Sequence, residues 1–160
     1  MTTQNSTQYA AQTAVPPTKT DAALMYGKAR VYKINFAQAG VGSAGSIARL
    51  IKLPPGKVAV YGYLSWLRTS NMGSGRTLHI GYSQYRLKDG TIQTADPDAL
   101  NASQAASAVA IFQLGAANTT APGGTIVFES LAGVSLIATV NVGTIPDLAT
   151  IEGVITVGVE

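Results

Sequence analysis

The amino-acid sequence predicts an all-β fold: an antiparallel β-sandwich or jelly roll of seven or eight strands, with at most one short helix and an extended N-terminal arm. From Ala29 onward, short segments with apolar residues at every second position follow one another, separated by Gly- and Pro-containing connections. With 160 residues, 46% hydrophobic and 12% charged, the chain is large enough for one domain with its own core. The sequence therefore predicts a single layered β domain.

Residues 1–28 differ from the rest of the chain. Thr, Gln and Ala supply half of them, Pro16-Pro17 disfavours a helix, and no periodicity emerges. We interpret residues 1–28 as a flexible or extended arm and residues 29–160 as the β-sandwich domain. The arm is either a frayed terminus without a role or a tether to a neighbouring subunit. For a tether, the candidate apolar anchors are Tyr9, Leu24, Met25 and Tyr26.

The strands are predicted from period-2 alternation. In Ala29–Phe36, for example, Tyr32, Ile34 and Phe36 share one face. Asp89-Gly90 has the residue types of a tight hairpin turn. A short helix is predicted over Asp98–Ala108, with Asp96 as its N-cap and Pro97 in its first position. The other predicted strands are Lys57–Arg68, Arg76–Leu87, Thr91–Thr94, Val109–Leu114, Thr125–Glu129, Val134–Asn141 and Leu148–Val159.

Aromatic side chains are the best candidates for a recognition surface, because Tyr and Trp combine a large contact area with a polar group. In the strand Lys57–Arg68, alternation places Trp66 with Val58 and Val60, which predicts a core position. Tyr61 and Tyr63 lie on the opposite face. The sequence leaves two alternatives for these tyrosines, an interface and a second buried layer. Tyr82 and Tyr85 belong to the same candidate set.

Composition excludes some classes of protein. The chain has no Cys, so disulfides and thiolate metal sites are excluded. Its first residues lack the basic and apolar regions of a signal peptide, and no apolar run approaches the ~20 residues of a membrane span. We therefore expect a soluble protein that is made in a cytoplasm and does not associate with membranes.

The charges are divided along the chain. All eleven basic residues lie at or before Lys88, and seven of the eight acids follow it. Two complementary surfaces would be one explanation. In a jelly roll, however, strands of the first half pair with strands of the second, so we expect most opposite charges to be neighbours within one subunit. The balance of charge also disfavours nucleic-acid binding.

Gly40-Val41-Gly42-Ser43-Ala44-Gly45 matches the GxGxxG pattern of dinucleotide-binding proteins. The helix that should follow has only residues 46–53 before Pro54-Pro55-Gly56, and no acid occurs between Asp21 and Asp89 to bind a ribose. We therefore predict a loop between strands, and no cofactor.

Catalytic and metal sites find no support either. His79 is the only histidine, and alternation places it on a strand without a second ligand or a nearby buried acid. Asp96, Asp98 and Asn101 offer too few oxygen ligands for a calcium loop, and helix capping explains them better. We predict no catalytic, cofactor-binding or metal-binding residues.

Two stretches, residues 53–91 and 128–157, resemble the capsid decoration or cement proteins of tailed bacteriophages. The shared features are a GKV strand, an IGY strand that ends in a DGT turn, and an ES-x-x-GV strand pair that closes on a GTIP turn. The resemblance implies a jelly-roll-like β-sandwich without catalytic residues. It also implies binding to the assembled major capsid protein, as a homodimer or homotrimer on the outer surface of the virion. Another virion component, such as a head fibre or tail base, and a carbohydrate-binding β-sandwich remain alternatives.

Overall fold

The structure, a computed structural model, describes residues 3–16, 29–43, 45–115 and 124–159. This part of the chain contains thirteen strands, one helix, α1 (Thr7–Thr13), and one 3-10 turn (Gly62–Leu64). The strands are β1 (Thr3–Asn5), β2 (Ala29–Ala37), β3 (Ile47–Lys52), β4 (Gly56–Tyr61), β5 (Trp66–Thr69), β6 (Thr77–Tyr82), β7 (Tyr85–Arg86), β8 (Ile92–Gln93), β9 (Asp96–Ala105), β10 (Ala110–Gln113), β11 (Thr125–Ser130), β12 (Ser135–Val140) and β13 (Thr150–Val159).

Two main sheets form a jelly roll. The back sheet has the order β3-β12-β6-β9, with short β1 added in parallel to β3. In the front sheet, β2 pairs with one edge of β13, while β5 and β4 pair in succession with its other edge. β10 and β11 continue this sheet beside β5 and β4. β4 and β5 together form one strand that is interrupted by the 3-10 turn, and β10 and β11 likewise form one interrupted strand. Each sheet therefore has four antiparallel strands, which confirms the predicted fold class.

The core lies between the two sheets. β13 crosses the front sheet at its centre and is buried over most of its length. Alternate side chains of its neighbours point inward, as the period-2 pattern predicted. The largest fully buried side chains are Phe36, Phe128, Ile34, Leu50, Ile51, Leu53, Leu67, Met72, Leu78, Ile80, Leu100 and Leu114.

The helix predicted over Asp98–Ala108 is wrong, because Asp96–Ala105 forms the edge strand β9. Its register against β6 shifts twice, and Ser103 has a positive φ of 50°, so apolar residues do not alternate along it. Pro97 is tolerated because it lies at the start of an edge strand. Gly81 of β6 leaves room for this strand, since a Cβ there would collide with the backbone of Asp96 and Pro97.

Strand β3 was not predicted from the sequence, for a similar reason. Its register against β12 shifts between Leu136 and Ile137, and the consecutive residues Leu50 and Ile51 are both buried. The bulge breaks the alternation on which the prediction depended. The described part of the Gly40–Gly45 segment is a loop between β2 and β3, as predicted, with positive φ at both of these glycines.

Residues 3–16 of the predicted arm are structured. Thr3–Asn5 pairs with β3, and α1 follows with Ser6 as its N-cap. The Ser6 hydroxyl accepts a hydrogen bond from the Tyr9 amide at 3.1 Å, and α1 contacts both β2 and β3. A short polar helix with one buried tyrosine has too few apolar positions to show a helical period. Residues 17–28 lie outside the described part of the chain, so the predicted boundary at 28/29 stays a prediction.

Candidate interaction surface

We call the outward side of the front sheet the aromatic face, because exposed aromatic residues lie on it. It comprises the outward-facing residues of β2, β13, β4, β5, β10 and β11, together with the 3-10 turn. Trp66 lies near its centre, with Val154 of β13 and Gln113 of β10 as its cross-strand neighbours. Trp66 is 42% exposed and Tyr63 is 61% exposed. Among the exposed or half-buried apolar residues of this face are Val31, Ala59, Tyr61, Tyr63, Leu64, Trp66, Ile111, Val127 and Val154.

The predicted core position of Trp66 is wrong because of the 3-10 turn. Trp66 was expected in the core with Val58 and Val60, but the three turn residues between β4 and β5 change the phase of alternation. Leu67 and Thr69 therefore point inward, and Trp66 points outward. A continuous strand would have kept Trp66 on the face of Val60.

A buried polar network holds this turn in place. The Ser65 hydroxyl donates to the Tyr61 carbonyl at 2.7 Å and accepts from the Thr156 amide at 2.9 Å. The Thr156 hydroxyl donates to the Leu64 carbonyl at 2.8 Å. At Gly62, a Cβ would collide with the carbonyl oxygens of Leu114 and Gly124. The turn is thus tied to β13 and to the ends of β10 and β11, so its exposed side chains are held on a rigid base.

The two tyrosines of this face differ in exposure. Tyr63 projects from the turn into solvent. Tyr61 is half-buried because its ring lies against Gly158 of β13, where a Cβ would collide with the phenol. Both lie outside the core between the sheets. Their role as interface residues stays a prediction.

Opposite charges lie toward the ends of the aromatic face in cross-strand pairs. Arg68 on β5 stands opposite Glu152 on β13, and Lys57 on β4 stands opposite Glu129 on β11. Both pairs join a strand of the first half of the chain to one of the second. The expectation that the charge split reflects strand pairing within one subunit is confirmed for these residues.

The other candidate interface residues lie away from the aromatic face or outside the described residues. Tyr9 is only 8% exposed and packs on its own chain. Its hydroxyl lies 3.3 Å from the Ser135 hydroxyl, and the Arg49 guanidinium lies over its ring, 5.4 Å from the ring centroid. Leu24, Met25 and Tyr26 lie outside the described residues. Tyr82 and Tyr85 pack edge-to-face with each other and with Phe128, at centroid distances of 5.4 to 6.0 Å, so they contribute to packing at one end of the sandwich.

The polar residues that were considered as catalytic groups or metal ligands do not form a common site. Asn101 is buried, and its side-chain amide donates to the Gln113 carbonyl and accepts from the Gly115 amide, away from Asp96 and Asp98. Burial and hydrogen bonding to Asp98 raise the pKa of Asp96. His79 Nδ1 lies 3.9 Å from an Asp98 carboxylate oxygen. Within the described ranges, no three His, Asp or Glu side chains are grouped as metal ligands.

A second group of exposed apolar residues lies at one end of the sandwich, in the loops β2–β3, β9–β10 and β12–β13. We call it the loop end; it presents Val41, Val109, Val142 and Leu148, each more than half exposed. The Gly42 amide donates to the Ile145 carbonyl at 2.9 Å, and the Leu148 amide donates to the Gln38 carbonyl at 3.1 Å, so two of the loops are joined. Leu148 has a φ of +61°, an unfavourable conformation for a leucine. Sequence reasoning missed this surface, because single aliphatic residues in Gly-rich loops carry no periodic signal.

The fold has counterparts among solved structures. The sequence matches no protein-family model and no curated protein. A chain of the capsid of Ralstonia phage GP4 is similar in fold, with a TM-score of 0.64 and 15% identity, over 98% of this chain and 99% of that one. A chain of the cyanophage Pam1 capsid asymmetric unit is similar with a TM-score of 0.52 and 14% identity, over 91% of this chain and 99% of that one. At such identities the likeness shows the fold alone.

The likeness concerns whole chains, because each correspondence spans nearly all of both partners. The matched chain of the Ralstonia phage capsid is therefore about as long as this one. In the part of the chain that the structure describes, no helix is long and apolar enough to cross a membrane.

Proposed function

We propose that this chain is a non-enzymatic structural protein of a phage virion, made in the cytoplasm of the bacterial host. In this proposal it binds the assembled capsid from outside as a decoration or cement protein, with the major capsid protein as its partner. The end-to-end fold correspondence with a chain of a phage capsid carries the proposal. The correspondence spans nearly all of that chain, so it concerns the whole of the matched chain and not one part of it.

In this proposal the chain makes two kinds of contact, one with the shell and one with further copies of itself. The described residues present two separate exposed apolar surfaces, the aromatic face and the loop end. Exposed apolar clusters on a β-sandwich are typical of protein contact sites. Many copies on a lattice also make weak individual contacts sufficient, since each contact is repeated across the shell.

Leu148 is the residue of the loop end that we expect to matter most for binding to the shell. An exposed leucine in a left-handed conformation is unfavourable both in backbone energy and in solvation. Backbone strain of this kind concentrates at sites of function. Asparagine tolerates the left-handed conformation, so Leu148→Asn removes the apolar side chain without adding strain.

The test is binding of the purified full-length protein to expanded phage heads that lack it. We expect saturable co-sedimentation at a fixed ratio to the major capsid protein, and heads that resist heating better with the protein bound. Leu148→Asn should weaken binding by about tenfold. Leu131→Asn is the matched control, because Leu131 is also more than half exposed but lies outside the loop end.

Failure to bind heads at any concentration, with the protein folded, would overturn the capsid-binding function. Binding that is unchanged in Leu148→Asn, or equally weakened in Leu131→Asn, would instead place the shell contact elsewhere on the molecule.

A further inference from the structure

We infer that a second copy of this chain docks on the aromatic face, with Trp66 at the centre of the contact. This inference goes beyond capsid binding, because it assigns one surface to self-association in the absence of a shell.

The anatomy of the face is that of a protein–protein contact. Large aromatic residues lie at its centre, in the form of Trp66 and Tyr63, and the charged pairs Arg68–Glu152 and Lys57–Glu129 lie toward its ends. Protein interfaces combine an aromatic, desolvated centre with a polar rim, and Trp and Tyr are enriched among the residues that dominate binding. The polar network around Ser65 fixes the turn that carries Tyr63, so little conformational entropy is lost on contact.

The charge of the face favours a second copy as its occupant. Two identical faces carry the same net charge, so they avoid net repulsion only if that charge is close to zero. The outward charged residues of the described strands are three bases and two acids: Lys33, Lys57, Arg68, Glu129 and Glu152. Four of these five stand opposite a residue of the other sign. A face so nearly neutral meets the requirement for self-docking.

The size of the face is also sufficient. β13 has ten residues, which at ~3.3 Å per residue gives a length of about 33 Å. Four strands at a spacing of ~4.8 Å give a width of about 19 Å, and thus a flat area of roughly 600 Å². Side-chain relief raises the accessible area further, toward the ~800 Å² per partner that is typical of stable complexes.

The chain contains a single tryptophan, and it lies in the proposed contact, so its fluorescence reports on this surface alone. We would measure the mass of the full-length protein by light scattering and the acrylamide quenching of Trp66 over the same range of concentrations. We expect the mass to rise above that of one chain, and quenching to fall in parallel, because the half-exposed indole becomes covered. Both readouts use the free protein, so they are independent of whether it binds capsids.

Variants locate the contact. Trp66→Ala should weaken association by about thirtyfold or more, and Ile111→Lys, on the outward side of β10, by about tenfold. Ile92→Lys in the β7–β8 hairpin is the matched control, since Ile92 is also more than half exposed, and it should change association less than about twofold. Ile111→Lys keeps the test valid if Trp66→Ala fails to fold, which circular dichroism would show.

Three results would overturn the inference. The first is a protein that stays monomeric at the highest concentration reached. The second is association that leaves the quenching of Trp66 unchanged. The third is an Ile92→Lys variant that associates as weakly as Ile111→Lys.

Discussion

The N-terminal segment is the place where sequence and structure lead to opposite expectations, and Tyr9→Ala separates them. As a tether, residues 1–28 would contribute nothing to the stability of the free domain. In the structure, Tyr9 is buried on its own chain, against Arg49 and Ser135. The segment that precedes it is held by a hydrogen bond from the Ser6 amide to the Arg49 carbonyl at 2.7 Å.

The expected loss of stability follows from these contacts. Truncation of the ring returns about 100 Å² of apolar surface to water, worth ~2.5 kcal/mol at ~25 cal/mol per Å². The two hydroxyl contacts of Tyr9, at 3.3 and 3.4 Å, are long and add little. We therefore expect Tyr9→Ala to lower the free energy of unfolding by about 3 kcal/mol, a large part of the stability of a domain of this size.

Urea unfolding followed by circular dichroism measures this loss. With an m-value of ~2 kcal/mol per M, the midpoint should fall by about 1.5 M. Tyr63→Ala is the matched control: it removes the same side chain from a position that is 61% exposed, and should cost less than about 0.5 kcal/mol. Equal midpoints for the two variants would refute the packing of Tyr9 on its own chain and favour the tether. If the packing is correct, removal of residues 1–25 should also destabilise the domain.

Two further predictions concern polar groups of strand β9. Asn101→Ala removes the hydrogen bonds of a buried amide to Gln113 and Gly115, so it should lower the free energy of unfolding in urea by about 2 to 3 kcal/mol. Asn71→Ala, at an exposed loop position, is the control and should lower it by less than about 1 kcal/mol. Equal losses would contradict this reading. Burial and the neighbouring Asp98 raise the pKa of Asp96 above 3.8, so stability falls as pH rises from 3.8 through the raised value. Asp96→Asn should therefore be more stable than wild type at about pH 7, and this advantage should vanish at about pH 3; an advantage that persists there would argue against an ionisation effect.

The sequence by itself determined the all-β class, most strand positions and the hairpin turn at Asp89-Gly90. These features depend on alternation and on local turn chemistry, which are properties of neighbouring residues. Sequence reasoning also predicted that strands of the two halves would bring opposite charges together, as Arg68 and Glu152 show.

Only the tertiary structure decided where alternation fails. Bulges in β3 and β9 exist because these strands shift register against their partners, which no local pattern records. The same holds for Trp66, whose outward position depends on a three-residue turn stabilised by Ser65 and by Thr156, far along the chain. The aromatic face is thus made of residues that the sequence could name, in an arrangement that only long-range hydrogen bonds and register could fix.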